Sequence, residues 1–183
     1  MIRVLVPMAQ GCEELEAVTI TDILVRAGFE VITAGLDEQP VTASRGLRIL
    51  PSTRIDKIMN EVFDLIVLPG GLPGADHLRD DARVQTLLKK HAADNKYIAA
   101  ICAAPKALAQ AGLLEGKNAT GYPGVLEALN LSNTVVKDSA LEIDGKIITS
   151  RSPGTAMDFA LTLVELLAGK AKRDEVNRQL VRY

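Results

Sequence analysis

The stretch "KYIAAICAAPKALAQAG", residues 96 to 112, runs an apolar strand straight into an alanine-rich helix and places one cysteine, Cys102, at the joint. Short unbroken apolar runs recur at 2 to 7 (IRVLVP), 30 to 35 (EVITAG) and 64 to 71 (DLIVLPGG). Between them lie helical patterns. Leu15, Val18, Thr19, Asp22 and Ile23 fall on one face of a segment that ends at Gly28, and Val84, Leu87, Leu88 and Ala92 do the same after an Asp80-Asp81 cap. Apolar strands alternating with helices predict βαβ units, hence a doubly wound α/β fold with a mostly parallel sheet between helices.

The second half predicts an edge hairpin, because "ALEI" and "KIIT" flank Asp144-Gly145, a dipeptide favoured in two-residue turns. A long helix follows, with Ser152 as N-cap, Pro153 at its first position, Ala156, Phe159, Ala160, Leu163, Val164 and Leu167 on one face, and Gly169 as its stop. Asp174 to Tyr183 reads as a short closing helix. No repeat, low-complexity tract or linker interrupts the chain, and residues 1 to 183 are expected to form a single domain.

Aliphatic residues must build the core, since the chain has six aromatics and no tryptophan. A net charge of −2 with dispersed lysines and arginines argues against direct, sequence-specific nucleic-acid binding. The apolar run after Met1 is too short for a signal segment, and no run reaches the roughly 20 residues that span a bilayer. The expectation is a cytoplasmic protein without a membrane segment. Two cysteines cannot build a disulfide framework, and two histidines, His77 and His91, offer no zinc pattern, so neither a metal nor another cofactor is expected. His77 reads as a loop residue and His91 as a mid-helix packing residue.

Ligands of open α/β sheets bind beyond the carboxyl ends of the strands. Three segments bring unusual residues to that edge: "PMAQGCEELEAV", "LPGGLPGADH" and Cys102 itself. Ala100-Ile101-Cys102-Ala103-Ala104 has the form small, any, nucleophile, any, small, like the elbow that presents a nucleophile over a sheet. Such a turn leaves the thiol at a helix N-terminus, where backbone N–H groups favour the thiolate and depress its pKa. A free cysteine is equally at home as a small core residue, and the spacing leaves both readings open.

At least two of the acids Glu13, Glu14 and Glu16 read as caps that complement the helix dipole. Glu16 is the candidate for an inward carboxyl that stays protonated beside the thiol. Gly70-Gly71 reads as a tight turn or as an oxyanion hole, and no nucleotide-binding glycine motif occurs. Cys12 reads as a small turn residue in preference to a second redox thiol.

Taken together, "EELEAV", "SRG", "VLPGG", "AAICAAP", "TGYP" and "SRSPGT" resemble, in order and over essentially the whole chain, the ThiJ/PfpI superfamily, specifically its DJ-1 branch with the bacterial YajL-like members. The resemblance implies a flavodoxin-like sandwich related to class I glutamine amidotransferases, and a homodimer. It implies that Cys102 is the reactive cysteine and Glu16 the protonated acid bonded to it. Gly71 and Ala103 match positions whose amides face the substrate oxygen. Arg45 matches an arginine that helps form the site across the dimer, and Arg26 one at the dimer contact. The implied activities are glyoxalase without glutathione, deglycase repairing methylglyoxal or glyoxal adducts of amines and thiols, and an oxidative-stress sensor or chaperone switched by Cys102 oxidation. Where many relatives have histidine before proline, this chain has Tyr122, a poor base at neutral pH, which weakens a protease reading. A thiamine-pathway or amidotransferase-like activity ranks last, because it rests on fold similarity.

Overall fold

The computed structural model describes residues 1–182. Strand β1 (Arg3–Met8) leads through α1 (Glu14–Arg26) to β2 (Glu30–Gly35). Two-residue strands β3 (Val41–Thr42) and β4 (Arg48–Ile49) form a separate antiparallel hairpin, and β5 (Thr53–Arg54) rejoins the main sheet. Then come β6 (Leu65–Leu68), α2 (Gly74–Asp80), α3 (Ala82–Ala93), β7 (Tyr97–Ile101) and α4 (Pro105–Gln110). Short strands β8 (Asn118–Ala119) and β9 (Val135–Val136) pair with each other. The antiparallel strands β10 (Leu141–Asp144) and β11 (Ile147–Ser150) precede α5 (Ala156–Ala168) and α6 (Lys170–Gln179).

The main sheet has the order β10-β11-β7-β6-β1-β2-β5, parallel except for edge strand β10. This is the expected doubly wound, flavodoxin-like arrangement. Alternate residues of each strand face opposite layers. Val4, Val6 and Met8 join Ile20, Leu24, Phe159 and Leu163 of α1 and α5, while Leu5, Ile66 and Ile98 join Leu78, Leu88 and Leu108 of α2, α3 and α4. Burial on both faces is why these strands read as continuous apolar runs. From β1 the chain goes first to β2 on one side and later to β6 on the other, so the strand order reverses between β1 and β6. That switch point opens a crevice at their carboxyl ends.

Several expectations shift in detail. The face of α1 turned to the core is Glu16, Ala17, Ile20, Ile23 and Leu24, while Leu15 and Val18 point outward. The difference arises because the apolar residues of α1 wrap around more than one face, and only tertiary packing chooses between them. Asp81 alone caps α3, its carboxylate accepting the N–H groups of Arg83 and Val84, while Asp80 ends α2. In the edge hairpin Asp144 pairs with Ile147, so the two-residue turn is Gly145-Lys146, one position later than expected. The Asp144 carboxylate is engaged by the Asn118 N–H at 3.0 Å and the Lys117 Nζ at 3.2 Å.

Ser152 forms a capping box with Thr155 over a short 3-10 turn that leads into α5, and Gly169 ends that helix. The last helix begins at Lys170, four residues before the expected start, and Tyr183 lies outside the described residues. His77, expected in a loop, lies in α2 and contacts the Gln10 carbonyl through Nδ1 at 3.1 Å. His91 is buried in α3, and that burial holds its imidazole below the usual histidine range.

Candidate active site at the switch point

Cys102 follows the last residue of β7 and takes a left-handed backbone, φ +62°. For a residue with a Cβ this conformation costs on the order of 1–3 kcal/mol and persists only where surroundings hold it. Here both sides of the residue are held. Its N–H donates to the Ser150 carbonyl at 2.9 Å, and its carbonyl accepts the Tyr122 N–H at 2.7 Å. Ala100 and Ala104 on either side are fully buried, as a tight strand-to-helix turn requires. The geometry is that of an elbow, and the thiol it presents is 7% exposed.

Glu16 comes to the thiol from the buried face of α1 and is wholly inaccessible to solvent. Its Oε2 accepts the Gly70 N–H at 2.7 Å, while Oε1 finds no well-aligned partner and the carboxyl leans on the Cys102 thiol. Burial raises the Glu16 pKa to about 7 against the opposing Gly70 and Cys102 hydrogen bonds, with a further upward push from Glu13. Burial, the charge of Glu16 and its hydrogen bond also push the Cys102 thiol up to about 12, opposed by the amides of Gly71 and Ala103. The expected depression of the thiol pKa is therefore not found: burial, the largest cause, raises it, and the Glu16 carboxylate adds to that rise. When Glu16 carries the proton its charge no longer opposes the thiolate, so the two groups compete for one proton in a closed pair.

Gly70, read from the sequence only as half of a glycine pair while the family resemblance singles out Gly71, is what lets the Cys102 and Glu16 side chains meet. A Cβ there would lie 2.7 Å from the Cys102 Cβ, 2.8 Å from Glu16 Oε2 and 2.8 Å from the Ile101 carbonyl. Gly71 is equally constrained, with φ +87° and a would-be Cβ 2.3 Å from the Glu13 nitrogen. The signal in the sequence was the pair of glycines itself, which did not say which neighbour would crowd each one.

The structure brings Cys102, Glu16, Gly71 and Ala103 together. Tyr122 is tied to Cys102 only through its backbone, and its ring is half-exposed. Arg45 is exposed on the β3–β4 turn, and Arg26, in the last turn of α1, is paired with Asp22 at 2.6 Å. Neither guanidinium has a hydrogen bond or ion pair to Cys102 or Glu16 among the described residues. Glu13 and Glu14 make no side-chain cap on α1 and turn instead to Ser44, Arg45 and Leu47. Cys12 is fully buried in the β1–α1 loop, and burial with the nearby glutamates pushes its thiol up to about 11.

A cavity of about 580 Å³ opens at the opposite, amino-terminal edge of the sheet, lined by Lys96, Tyr97, Lys117, Lys146 and neighbours. Two of these lysines pair with Asp64 and Asp144, and the Lys146 ammonium lies over the Tyr97 ring. That region carries none of the thiol, carboxyl and amide arrangement found at Cys102. Among the described residues no cluster of three metal-ligating groups occurs, and no helix is long and apolar enough to cross a membrane.

The DJ-1/PfpI family model matches residues 2–166. The protein DJ-1 homolog A of Arabidopsis thaliana is 46% identical over 180 residues, covering 97% of this chain, and the chain spans only 46% of that relative's length. The crystal structure of Drosophila melanogaster DJ-1beta superposes with a TM-score of 0.95 at 41% identity, covering 100% of this chain and 98% of the other. A Caenorhabditis elegans protein named glutathione-independent glyoxalase is 34% identical over 171 residues, covering 93% of this chain and 91% of its own.

Proposed function

Because the chain belongs to the DJ-1/PfpI family, we propose that it is a cofactor-independent glyoxalase and deglycase whose nucleophile is Cys102. The single observation that carries this reading is the buried Cys102–Glu16 pair beneath the amides of Gly71 and Ala103. Glu16 takes the thiol proton as sulfur adds to the aldehyde carbon of a 2-oxoaldehyde such as methylglyoxal. The oxyanion forms between the two amides and receives that proton back, which gives a hemithioacetal and an ionised Glu16. The carboxylate then removes the proton from the former aldehyde carbon and returns it to the neighbouring carbon, while the hydroxyl proton of the former aldehyde passes to the neighbouring oxygen, converting the hemithioacetal into the thioester of a 2-hydroxy acid. Water hydrolyses the thioester, releasing a 2-hydroxy acid and the free thiol. In an adduct with an amine or thiol the former aldehyde carbon is already tetrahedral, so the Cys102 sulfur displaces the amine or thiol, which leaves with the thiol proton as the new carbon–sulfur bond forms, and the resulting hemithioacetal follows the same path. A carboxyl poised near neutral pH suits both halves of the transfer.

Lactate production from methylglyoxal without glutathione, wild type beside Cys102→Ala, tests the proposal. Turnover that falls about a thousandfold or more in the variant supports it. Equal turnover in the two proteins overturns it.

A second reading is a redox sensor or chaperone in which Cys102 is oxidised to sulfinic acid. What favours it is the Glu16 carboxyl that leans on Cys102 with its Oε1 unpartnered, so that in its protonated form it has a donor to offer a sulfur oxidised by peroxide. We read the molecule as a single-domain cytoplasmic homodimer. Support for the dimer comes from an apolar groove of about 410 Å³ between α1 and the β3–β4 hairpin, where Val18, Val25 and Leu50 are exposed. Two free cysteines fit a reducing compartment.

A further inference from the structure

The first turn of α1 presents three carboxylates, and the chemistry above uses one. Glu14 points away from the thiol, toward the turn of the β3–β4 hairpin. Its two oxygens each accept the Arg45 N–H at 3.0 Å, Oε1 also accepts the Leu47 N–H at 3.3 Å, and Oε2 accepts the Ser44 hydroxyl at 3.2 Å. The Ser44 hydroxyl also lies 2.8 Å from Glu13 Oε2. What desolvation Glu14 suffers acts upward, but the amides of its own turn, Arg45 and Leu47 together hold its carboxyl below the usual range.

A hairpin with two residues per strand has no stability of its own. It is held to residues 10 to 14: the Gly11 N–H donates to the Thr42 carbonyl at 2.8 Å, the Ser44 N–H to the Cys12 carbonyl at 2.8 Å, and the Thr42 N–H to Gln10 Oε1 at 2.9 Å. On their other side the same residues press on the loop that carries Gly71. The Glu13 N–H donates to the Gly70 carbonyl at 2.9 Å, and a Cβ at Gly74 would meet the Cys12 nitrogen at 2.5 Å. Residues 11 to 13 are thus pressed between the hairpin and the Gly70–Gly74 segment.

We propose that Glu14 is a positioning residue: its carboxylate locks the Ser44–Leu47 turn onto the start of α1, which fixes where the Arg45 guanidinium is presented and backs the loop that aims the Gly71 amide at Cys102. Because the carboxylate is occupied by backbone donors, Arg45 keeps its side chain exposed, without an ion pair among the described residues. The functional part of this inference rests on Cys102 being the reactive centre, as proposed above.

The test combines three measurements on Glu14→Ala and Glu14→Gln. Hydrogen exchange at the Arg45 and Leu47 amides should rise about tenfold in Glu14→Ala, and less in Glu14→Gln, which keeps one acceptor oxygen. Alkylation of Cys102 by iodoacetamide should change severalfold while exchange in the strands of the main sheet stays at its wild-type rate. With methylglyoxal, Arg45→Ala should cost less in the Glu14→Ala background than in wild type, because the two residues act through one turn. Unchanged protection at Arg45 and Leu47 overturns the proposal, as does exchange that rises equally across the main sheet, or additive losses in turnover. If the wild type fails to turn over methylglyoxal, the proposed activity falls. The exchange and alkylation measurements still decide the role of Glu14.

Discussion

Cys12 and Cys102 follow neighbouring parts of one sheet edge, and burial pushes both thiols up, to about 11 and about 12. Acidity alone does not mark Cys102 out from Cys12. They differ in what surrounds the sulfur. Cys12 lies at zero exposure in a packed loop, whereas Cys102 is slightly open, sits in a left-handed turn, and has a protonatable carboxyl on one side and two amides on the other. Reactivity here is a property of the partner that can take or give a proton, and it is not read from the thiol pKa alone.

The largest effect expected from breaking that arrangement comes from Gly70→Ala. The added methyl must enter a space already filled by the Cys102 Cβ and Glu16 Oε2. Methylglyoxal turnover should fall about a hundredfold or more, with a loss of about 1–3 kcal/mol in stability from overpacking. Gly112→Ala is the control. Its Cβ meets nothing within 4 Å but its φ is +75°, so it should cost about 1 kcal/mol of stability and leave turnover intact. Equal turnover losses in the two variants would show that Gly70 acts through stability and not through the pair.

Next in size is the contrast between the thiols under mild peroxide. Intact mass and peptide mapping should show two oxygens added at Cys102 and at least about tenfold less oxidation at Cys12. Equal oxidation of both cysteines would remove the difference on which the comparison rests.

Sequence reasoning reached the sheet, its helices and Cys102 because their signals are local: unbroken apolar runs, an aspartate cap, small residues flanking a nucleophile. Glu16 is already the candidate inward carboxyl from its place at the start of α1 and Gly70-Gly71 a candidate oxyanion hole, the family resemblance singles out the amides of Gly71 and Ala103, and the structure brings these groups to one sulfur. What stayed hidden depends on contacts distant in sequence. Gly70 and Cys102 are 32 positions apart, and their crowding has no local signature. Glu14 looked like a dipole-complementing acid because its partners, Arg45 and Leu47, lie 31 and 33 residues away. The core face of α1 differs from the sequence reading for a related reason: Leu15 and Val18 are as apolar as the core residues beside them, and nothing in the helix marks them as outward-facing.

Glu16→Gln sharpens the comparison through pH. With the folded-state pKa raised from 4.5 to about 7, the folded protein holds a proton that the unfolded chain releases. The wild type is therefore not penalised below about pH 4.5 and loses stability as pH rises through about 7. The plateau loss is on the order of 3 kcal/mol, since each pKa unit is worth about 1.4 kcal/mol. The glutamine variant keeps an acceptor for the Gly70 N–H and has no charge to bury. Denaturant unfolding at pH 5 and pH 8 should show its stability gaining on the wild type as pH rises, even as its turnover collapses. Parallel pH dependence in the two proteins would mean that Glu16 is not the buried proton holder.

The smallest effect expected is a gain. The Tyr122 N–H donates to the Cys102 carbonyl at 2.7 Å, so its Cα is fixed next to Cys102 while its half-exposed phenol has no hydrogen bond among the described residues. A phenol is a poor base at neutral pH, whereas an imidazole titrates near 6.5. Tyr122→His should raise kcat/KM for methylglyoxal a few-fold above about pH 6.5 and add a limb near that value to the pH profile, while Tyr122→Phe should leave the profile unchanged. A new limb would mean that the Cys102–Glu16 pair is limited by proton removal and accepts help from a second base. No gain, with the fold intact, would mean that the buried pair handles its own proton and that the ring at this position faces only solvent or a partner.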